Sequence, residues 1–402
     1  MKIVLVHNAY QQVGGEDVVF ESERRLLESA GHHVIPYVRS NWQLRNTTLV
    51  DRIAIVPRMV WSSETRREFG ALLDTNSPKL VHIHNTFMAI SPSIYSACEE
   101  RGTPVVQTLH NYRLLCPGSN FYRDGKICEE CLEHGLHRSI RHGCYRHSRS
   151  ATAGVALMLA VHNYLRTWST HVTRFITLTE FARRKFVAAG FPREKFVVKP
   201  NFVDPDPGER VSPGDYAVFV GRLATDKGLL VLLDAWSQLQ RQYPLQIVGD
   251  GPARESLEAR VRERQLSAIT FRGRLSRSDA MATIKNSRFL IVPSTWYETF
   301  GMCIAESFAC GTPVLCSRLG AMEEIVTDGH TGLHFTPNNA LDLASKVDWL
   351  WNHPREATAM GRAARAKYES SYTAEHNHTL LMRIYEQALG QPTWQSRRVT
   401  TP

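Results

Sequence analysis

Residues 297–314 read YETFGMCIAESFACGTPV. Two carboxylates, Glu298 and Glu306, flank the apolar start of a helix. The helix stops at Cys310-Gly311-Thr312-Pro313, before the strand-like run Val314-Leu315-Cys316. Eight positions are just over two helical turns, so the two acids share a face roughly 12 Å apart. That span is too long for the pair to share one proton or one metal ion. It suits contacts with two ends of an extended ligand. The turn at Gly301 leaves backbone N–H groups open near the helix start, where the dipole favours an anion. A long ligand with a phosphate in its middle fits, and so does a buried helix carrying two merely solvated acids. The rest of the chain has to decide between them.

Outward from this stretch, short apolar runs alternate with helical patterns. Lys2–Val6, His33–Val38, Leu80–His84, Val105–Leu109 and Phe175–Leu178 read as strands, and Glu16–Ala30 as a helix stopped by Gly31. Such alternation means βαβ units and a parallel sheet covered by helices on both faces. The Pro-rich run from Pro200 to Gly208 suits neither helix nor strand and divides the chain. Beyond it Tyr216–Val220, Leu245–Val248, Ile269–Arg272 and Phe289–Val292 are strands, with a helix from about Gly228. The expected fold class is α/β, with two doubly wound domains at 1–200 and 201–373. A C-terminal helical segment, 374–402, is expected to pack back on the first. Ligands in such folds lie at the carboxyl ends of strands and in the cleft between domains.

The 402 residues, 43% apolar and 22% charged, have the composition of a soluble globular protein. The start MKIVLVHNAY enters a strand directly, with no basic segment and apolar core of a signal peptide. The apolar stretch Ala151–Val161 is far short of the ~20 residues of a spanning helix. A net charge of +9 fits an anionic partner: nucleic acid, anionic lipid or a phosphorylated substrate. Eight cysteines without a secretory signal argue for a reducing compartment, so a cytoplasmic location is expected.

Further candidates follow strands. Gly14-Gly15, after the first, could let a backbone approach a phosphate, although an ordinary tight turn has the same look. His110, in TLHNY, could bond a ligand hydroxyl or simply be structural. Arg222 and Lys227, in VGRLATDKG, suggest a diphosphate clamp, against the alternative of a solvated basic loop.

Together VGRLATDKG, VGDGP, the two-acid frame of YETFGMCIAE and the following ACGTPV resemble the retaining family-4 glycosyltransferases of GT-B fold. The early glycine pair and His110 match that pattern too, and the resemblance covers roughly residues 1–390. It implies transfer of a sugar from a nucleotide diphosphosugar, UDP- or GDP-linked, with retention at the anomeric carbon. It places Glu306 on the ribose hydroxyls and Glu298 facing the donor sugar. Backbone amides at Phe300, Gly301 and Met302 would reach sugar hydroxyls and phosphate, with Gly221 and Gly249 in the same donor site. Arg222 and Lys227 would stabilise charge on the departing diphosphate. Gly15 would add backbone donors from the other domain, and His110 would orient the sugar. The family generally needs no catalytic metal, and no DxD-type motif serves that role here. The VGGEDVV start and the HNYRLLCPG segment are similar to exopolysaccharide-building members, which implies a saccharide or lipid-linked acceptor at the inner membrane face.

One segment departs from that pattern. Cys116, Cys128, Cys131 and Cys144 are spaced C-x11-C-x2-C-x12-C, as in a tetrahedral structural zinc site, or are reduced thiols of an insertion at about 116–147. From His134 to Thr179 there is no acid, while Arg138, Arg141, Arg146, Arg149, Arg166 and Arg174 fall there. A basic helix on a bilayer surface and a buried helix of the first domain both fit. Rival readings are a GT-B sugar-nucleotide epimerase, a phosphorylase, and a basic zinc-bearing nucleic-acid-binding protein. The last leaves the sugar-nucleotide motifs unexplained, so no nucleic-acid partner is expected.

Overall fold

In the computed structural model, which describes residues 1–9, 14–41 and 56–390, the N-terminal apolar run becomes strand β1 (Lys2–Ala9). Its Ile3, Val4, Leu5 and Val6 are wholly buried. Burial on both faces is what a central parallel strand requires. β1 pairs in parallel with β2 (His33–Ser40) on one side and β3 (Leu80–Ile83) on the other. β4 (Val105–Leu109) follows, then a short antiparallel hairpin of β5 (Tyr122–Arg123) and β6 (Lys126–Ile127). With β7 (Arg174–Thr177) and β8 (Phe196–Val198) the parallel sheet runs β2-β1-β3-β4-β7-β8.

The helix Gly15–Ser29 begins at once after the Gly14-Gly15 turn. Gly14 is its N-cap, and the Asp17 carboxylate accepts from the Gly14 N–H at 2.7 Å, one arm of a capping box. Its outer face is laced by Glu21, Arg24, Arg25 and Glu28. Glu23 is the exception: it points inward and is buried.

The second sheet is all parallel: β9 (Ala217–Val220), β10 (Leu245–Val248), β11 (Ile269–Gly273), β12 (Phe289–Val292), β13 (Val314–Ser317) and β14 (Gly332–Phe335), in the order β11-β10-β9-β12-β13-β14. The direction of winding reverses between β9 and β12, where doubly wound sheets bind ligands beyond the strand ends. The apolar helix Leu229–Trp236 covers one face, with Trp236, Tyr243 and Leu350 in the same core.

Two compact units emerge. One holds residues 1–120, 129–199 and those from 377 on; the other holds 121–128 and 200–376. The hairpin within the expected cysteine insertion thus groups with the second unit rather than the first. The helix Ala374–Leu389 starts in the second unit and ends in the first, where Leu381, Ile384, Tyr385 and Ala388 join the core of Ile3, Leu5 and Leu27. The last part of the expected 374–402 segment, 391–402, lies outside the described residues. Observed strands differ from expectation by a residue at some ends: the run expected from Phe175 begins at Arg174, which pairs with Val106. Both units are α/β with parallel sheets, the architecture of the GT-B fold.

Candidate functional site

In the second unit, the loops after β9 and β12 meet at the point where the winding reverses. The Thr295 N–H donates to the Asp226 carbonyl at 2.9 Å, joining them backbone to backbone. That join sets two side chains together: Lys227 Nζ donates to Glu298 Oε1 at 2.6 Å. The same oxygen accepts from Ser294 Oγ at 2.7 Å and from Trp296 Nε1 at 2.9 Å. The ammonium also lies 5.0 Å from the centre of the Trp296 ring, a cation–π distance. Burial opposes the charge on Lys227, but the Glu298 carboxylate more than offsets that and holds its pKa above the ordinary lysine value. Lys227 is therefore charged at neutral pH, and it keeps further donors for an anion.

Arg222 behaves differently. Its side chain is mostly exposed and meets Asp226 only at 3.5 Å. Of the two cations expected to form a clamp, Lys227 is thus the firmly held one. Gly221 and Gly249 end β9 and β10. A Cβ on Gly249 would sit 1.9 Å from the Gly221 carbonyl oxygen, so that glycine serves close packing of strand ends.

Gly301, in a left-handed conformation, caps the helix Met302–Ala309. Phe300 is buried beneath it, against Tyr372. Glu306 lies on this helix, but Glu298 stands in the loop before it, so the two acids are not two turns apart on one helical face as the spacing suggested. Burial raises its pKa, opposed by the charge of Arg277. Next to the pair, the hairpin contributes Tyr122, whose hydroxyl meets Thr295 Oγ1 at 3.0 Å, and Phe121, edge-on to Tyr297. Ser294, Trp296 and Tyr122 were not among the sequence candidates. A Ser-x-Trp-x-Glu spacing after a buried strand was the available signal for the first two; nothing local signalled the hairpin.

In the first unit, Gly14-Gly15 and His110 follow β1 and β4. The loops touch where Asn111 Nδ2 donates to Glu16 Oε2 at 3.4 Å. Asp17, besides capping Gly14, accepts from His7 Nε2 at 2.9 Å. His110 Nε2 meets His84 Nδ1 at 2.9 Å, and His84 Nε2 meets Glu23 Oε1 at 3.1 Å. Glu23 Oε2 accepts from Lys199 Nζ at 2.9 Å. Glu23, His84 and Lys199 were missed by sequence reading, because they lie far apart in the chain and no local pattern marks them as partners.

Glu23, His82 and His84 are, among the described residues, the one group of three His, Cys, Asp or Glu whose ligand atoms lie within 4.8 Å of one another. Lys199 already supplies their cation, so a metal ion would meet a buried ammonium. Cys116 is buried, and Cys128, Cys131 and Cys144 are partly so. Cys116, Cys131 and Cys144 belong to the first unit and Cys128 to the hairpin of the second.

Residues 205–367 match the family model for glycosyl transferases group 1, and residues 13–207 the model for glycosyltransferase family 4. A D-rhamnosyltransferase, WbpZ, of Pseudomonas aeruginosa is 34% identical over 168 residues, 41% of this chain and 43% of that protein. A glycogen synthase of Mycobacterium tuberculosis is 31% identical over 180 residues, 44% of this chain and 43% of that one. The chain spans less than half the length of these curated relatives. Among solved structures, Anabaena Alr3699/HepE in complex with UDP superposes with a TM-score of 0.66 at 18% identity, covering 96% of this chain and all of that one. Sucrose-phosphate synthase of Thermosynechococcus elongatus gives 0.71 at 17% identity, covering 96% and 98%. The chain thus carries a stretch matching each of two glycosyltransferase family models, one after the other, on a GT-B fold.

Proposed function

We propose that the protein is a retaining glycosyltransferase, moving a sugar from a nucleotide diphosphosugar to a saccharide or lipid-linked saccharide in cell-surface or exopolysaccharide synthesis. The carrying observation is the Lys227–Glu298 pair at the reversal point of the second sheet, with Glu306 on the helix that follows. A cation for diphosphate stands there beside one acid suited to a sugar and another suited to a ribose. The relatives' names support sugar transfer, and the UDP held by the Anabaena protein supports a nucleotide donor. In the reaction the bond from sugar C1 to the diphosphate oxygen breaks, its electron pair staying on that oxygen. The acceptor oxygen bonds C1 from the same face, and its proton passes to the leaving phosphate. Lys227 stabilises the charge that builds there.

The reading is tested by assaying the full chain with UDP-, GDP- and ADP-sugars for hydrolysis and transfer; turnover of none removes it. Glu306→Ala should weaken nucleotide binding roughly 10- to 100-fold, since a charged acceptor on a hydroxyl is worth about 1.5–3 kcal/mol. Unchanged nucleotide affinity by calorimetry would take Glu306 out of the site.

An inner-face, peripheral position is part of the proposal. The helix Arg149–Tyr164 buries Val155, Met158, Leu159 and His162 but leaves Leu157 and Tyr164 exposed, with Leu165 just beyond its end. His162 Nε2 meets the Val60 carbonyl at 2.7 Å, beside the exposed Trp61. Arg146, Arg149 and Arg166 are exposed in the same acid-free stretch. Aromatics among arginines suit an anionic bilayer surface, and cosedimentation with anionic but not neutral vesicles checks it. No described helix is long and apolar enough to cross a membrane. A structural zinc on Cys116, Cys128, Cys131 and Cys144 also stands as a proposal. Protein prepared under reducing conditions should carry about one zinc per chain, and metal-free protein would end it.

A further inference from the structure

The first unit lays its buried charges out in a line, from Lys199 through Glu23 and His84 to His110. The second unit gathers donors on one atom. Glu298 Oε1 accepts from Lys227 Nζ at 2.6 Å, Ser294 Oγ at 2.7 Å and Trp296 Nε1 at 2.9 Å. A carboxylate oxygen has two lone pairs, so the ammonium and the hydroxyl alone would fill it. The indole is a third donor, beyond what a buried acid needs on that oxygen. All three bonds fall on Oε1 rather than Oε2.

The same indole meets the cation. The Lys227 ammonium lies over the Trp296 ring, 5.0 Å from its centre, within cation–π range. One side chain thus grips both halves of the ion pair, the acid with its N–H edge and the lysine with its face. The backbone makes this possible. The Glu298 N–H donates to the Trp296 carbonyl at 3.0 Å, a tight turn that folds the acid back onto a residue two before it. The Thr295 N–H, bonded to the Asp226 carbonyl at 2.9 Å, ties that turn to the loop that carries Lys227. Trp296 is only half-buried, so core packing does not by itself call for an indole here.

We propose that Trp296 is a positioning residue for the transfer reaction. Its N–H fixes the plane of the Glu298 carboxylate, so that Oε2 is the oxygen presented to the sugar. Its ring closes one side of the Lys227 ammonium, so that the N–H groups not taken by Glu298 are left to the diphosphate. Trp296 acts on turnover through these two side chains. The proposal rests on the glycosyltransferase reading for its ligands, but the grip of the indole on the pair does not.

Two substitutions separate the two contacts. Trp296→Phe removes the N–H and keeps a ring face, and Trp296→Leu removes both. With whichever of UDP-glucose or GDP-mannose the wild type turns over, Trp296→Phe should lower kcat roughly 2- to 10-fold, the worth of one hydrogen bond. Trp296→Leu should lower it roughly a further 2- to 30-fold, the worth of the cation–π contact. KM, and affinity for the matching UDP or GDP by calorimetry, should be unchanged in Trp296→Phe. If that variant keeps full kcat, or loses it only in step with nucleotide affinity and thermal stability, the residue is structural and the proposal falls. A second measurement needs no substrate. In full-length protein labelled with ¹⁵N-tryptophan, the Trp296 indole N–H signal is assigned by its loss in Trp296→Phe. It should lie downfield, as a bond to a carboxylate requires, and Glu298→Gln should move it. A signal that Glu298→Gln leaves in place overturns the proposal. Should Trp296→Leu fail to fold, Trp296→Phe and the spectrum decide. Wild type that turns over neither sugar nucleotide counts against the functional reading alone, and the spectrum then decides whether the indole holds Glu298.

Discussion

Lys227→Ala is expected to lower turnover of the accepted nucleotide sugar about 10²–10³-fold, the usual loss when one preorganised donor to a developing anion is removed. Affinity for the free nucleoside should change far less, because the lysine acts on the diphosphate as charge builds. The substitution has a second effect that must be separated from the first. It strips the partner from Glu298, a side chain 9% exposed. Breaking a buried pair by deleting one partner costs about 3–5 kcal/mol, more than the pair contributes when intact. Ser294 and Trp296 still donate to Glu298 and reduce that penalty. Glu298→Gln with Lys227→Ala removes the stranded charge. If the double variant regains thermal stability while its turnover stays well below that of Glu298→Gln alone, the lysine acts on the reaction. If stability returns and turnover equals that of Glu298→Gln alone, the loss was structural and Lys227 leaves the mechanism.

The alternation of apolar runs and helical patterns made both parallel sheets readable before any coordinates. Buried strands such as Val105–Leu109 and Phe289–Val292 must be apolar throughout, and that leaves a plain signature. The second-unit site was readable for a related reason. Its residues sit in loops directly after strands, so local sequence carries them, and Glu298 and Lys227 prove to be in contact. The first-unit line was not readable. Glu23 lies amid a helix of many charges, and only the fold turns it inward. His84 ends a strand and Lys199 closes the short run after Phe196, with sequence separations of 61 and 176 residues from Glu23. Pairings that distant have no local pattern. The hairpin at Tyr122–Ile127 was hidden likewise, because the reading of that segment rested on the cysteines flanking it, Cys116 and Cys128, while its tyrosine meets Thr295.

Gly228→Ala should destabilise the protein by about 2–5 kcal/mol, although a glycine-to-alanine change at a helix start ordinarily stabilises it by a fraction of that. Gly228 ends the turn Thr225–Lys227 and caps Leu229–Trp236 at φ +69°. An alanine pays about 1–2 kcal/mol for a left-handed backbone. Its Cβ would also stand 1.8 Å from the Pro293 carbonyl oxygen and 2.7 Å from the carbonyl carbon. Both are backbone atoms at the end of β12 and cannot rotate away, so overlap adds about 1–3 kcal/mol more. Gly329→Ala is the matched control, with φ +72° and nothing within 4 Å of its Cβ, so it bears the backbone strain alone. In thermal unfolding Gly228→Ala should fall well below Gly329→Ala; equal losses would mean that the close approach to Pro293 carries no energy. The consequence reaches the site, because Lys227 precedes the glycine and Ser294, which donates to Glu298, follows the proline. Pushing the two loops apart lengthens the Lys227–Glu298 contact of 2.6 Å, so turnover should drop in Gly228→Ala even at temperatures where it stays folded, and not in Gly329→Ala.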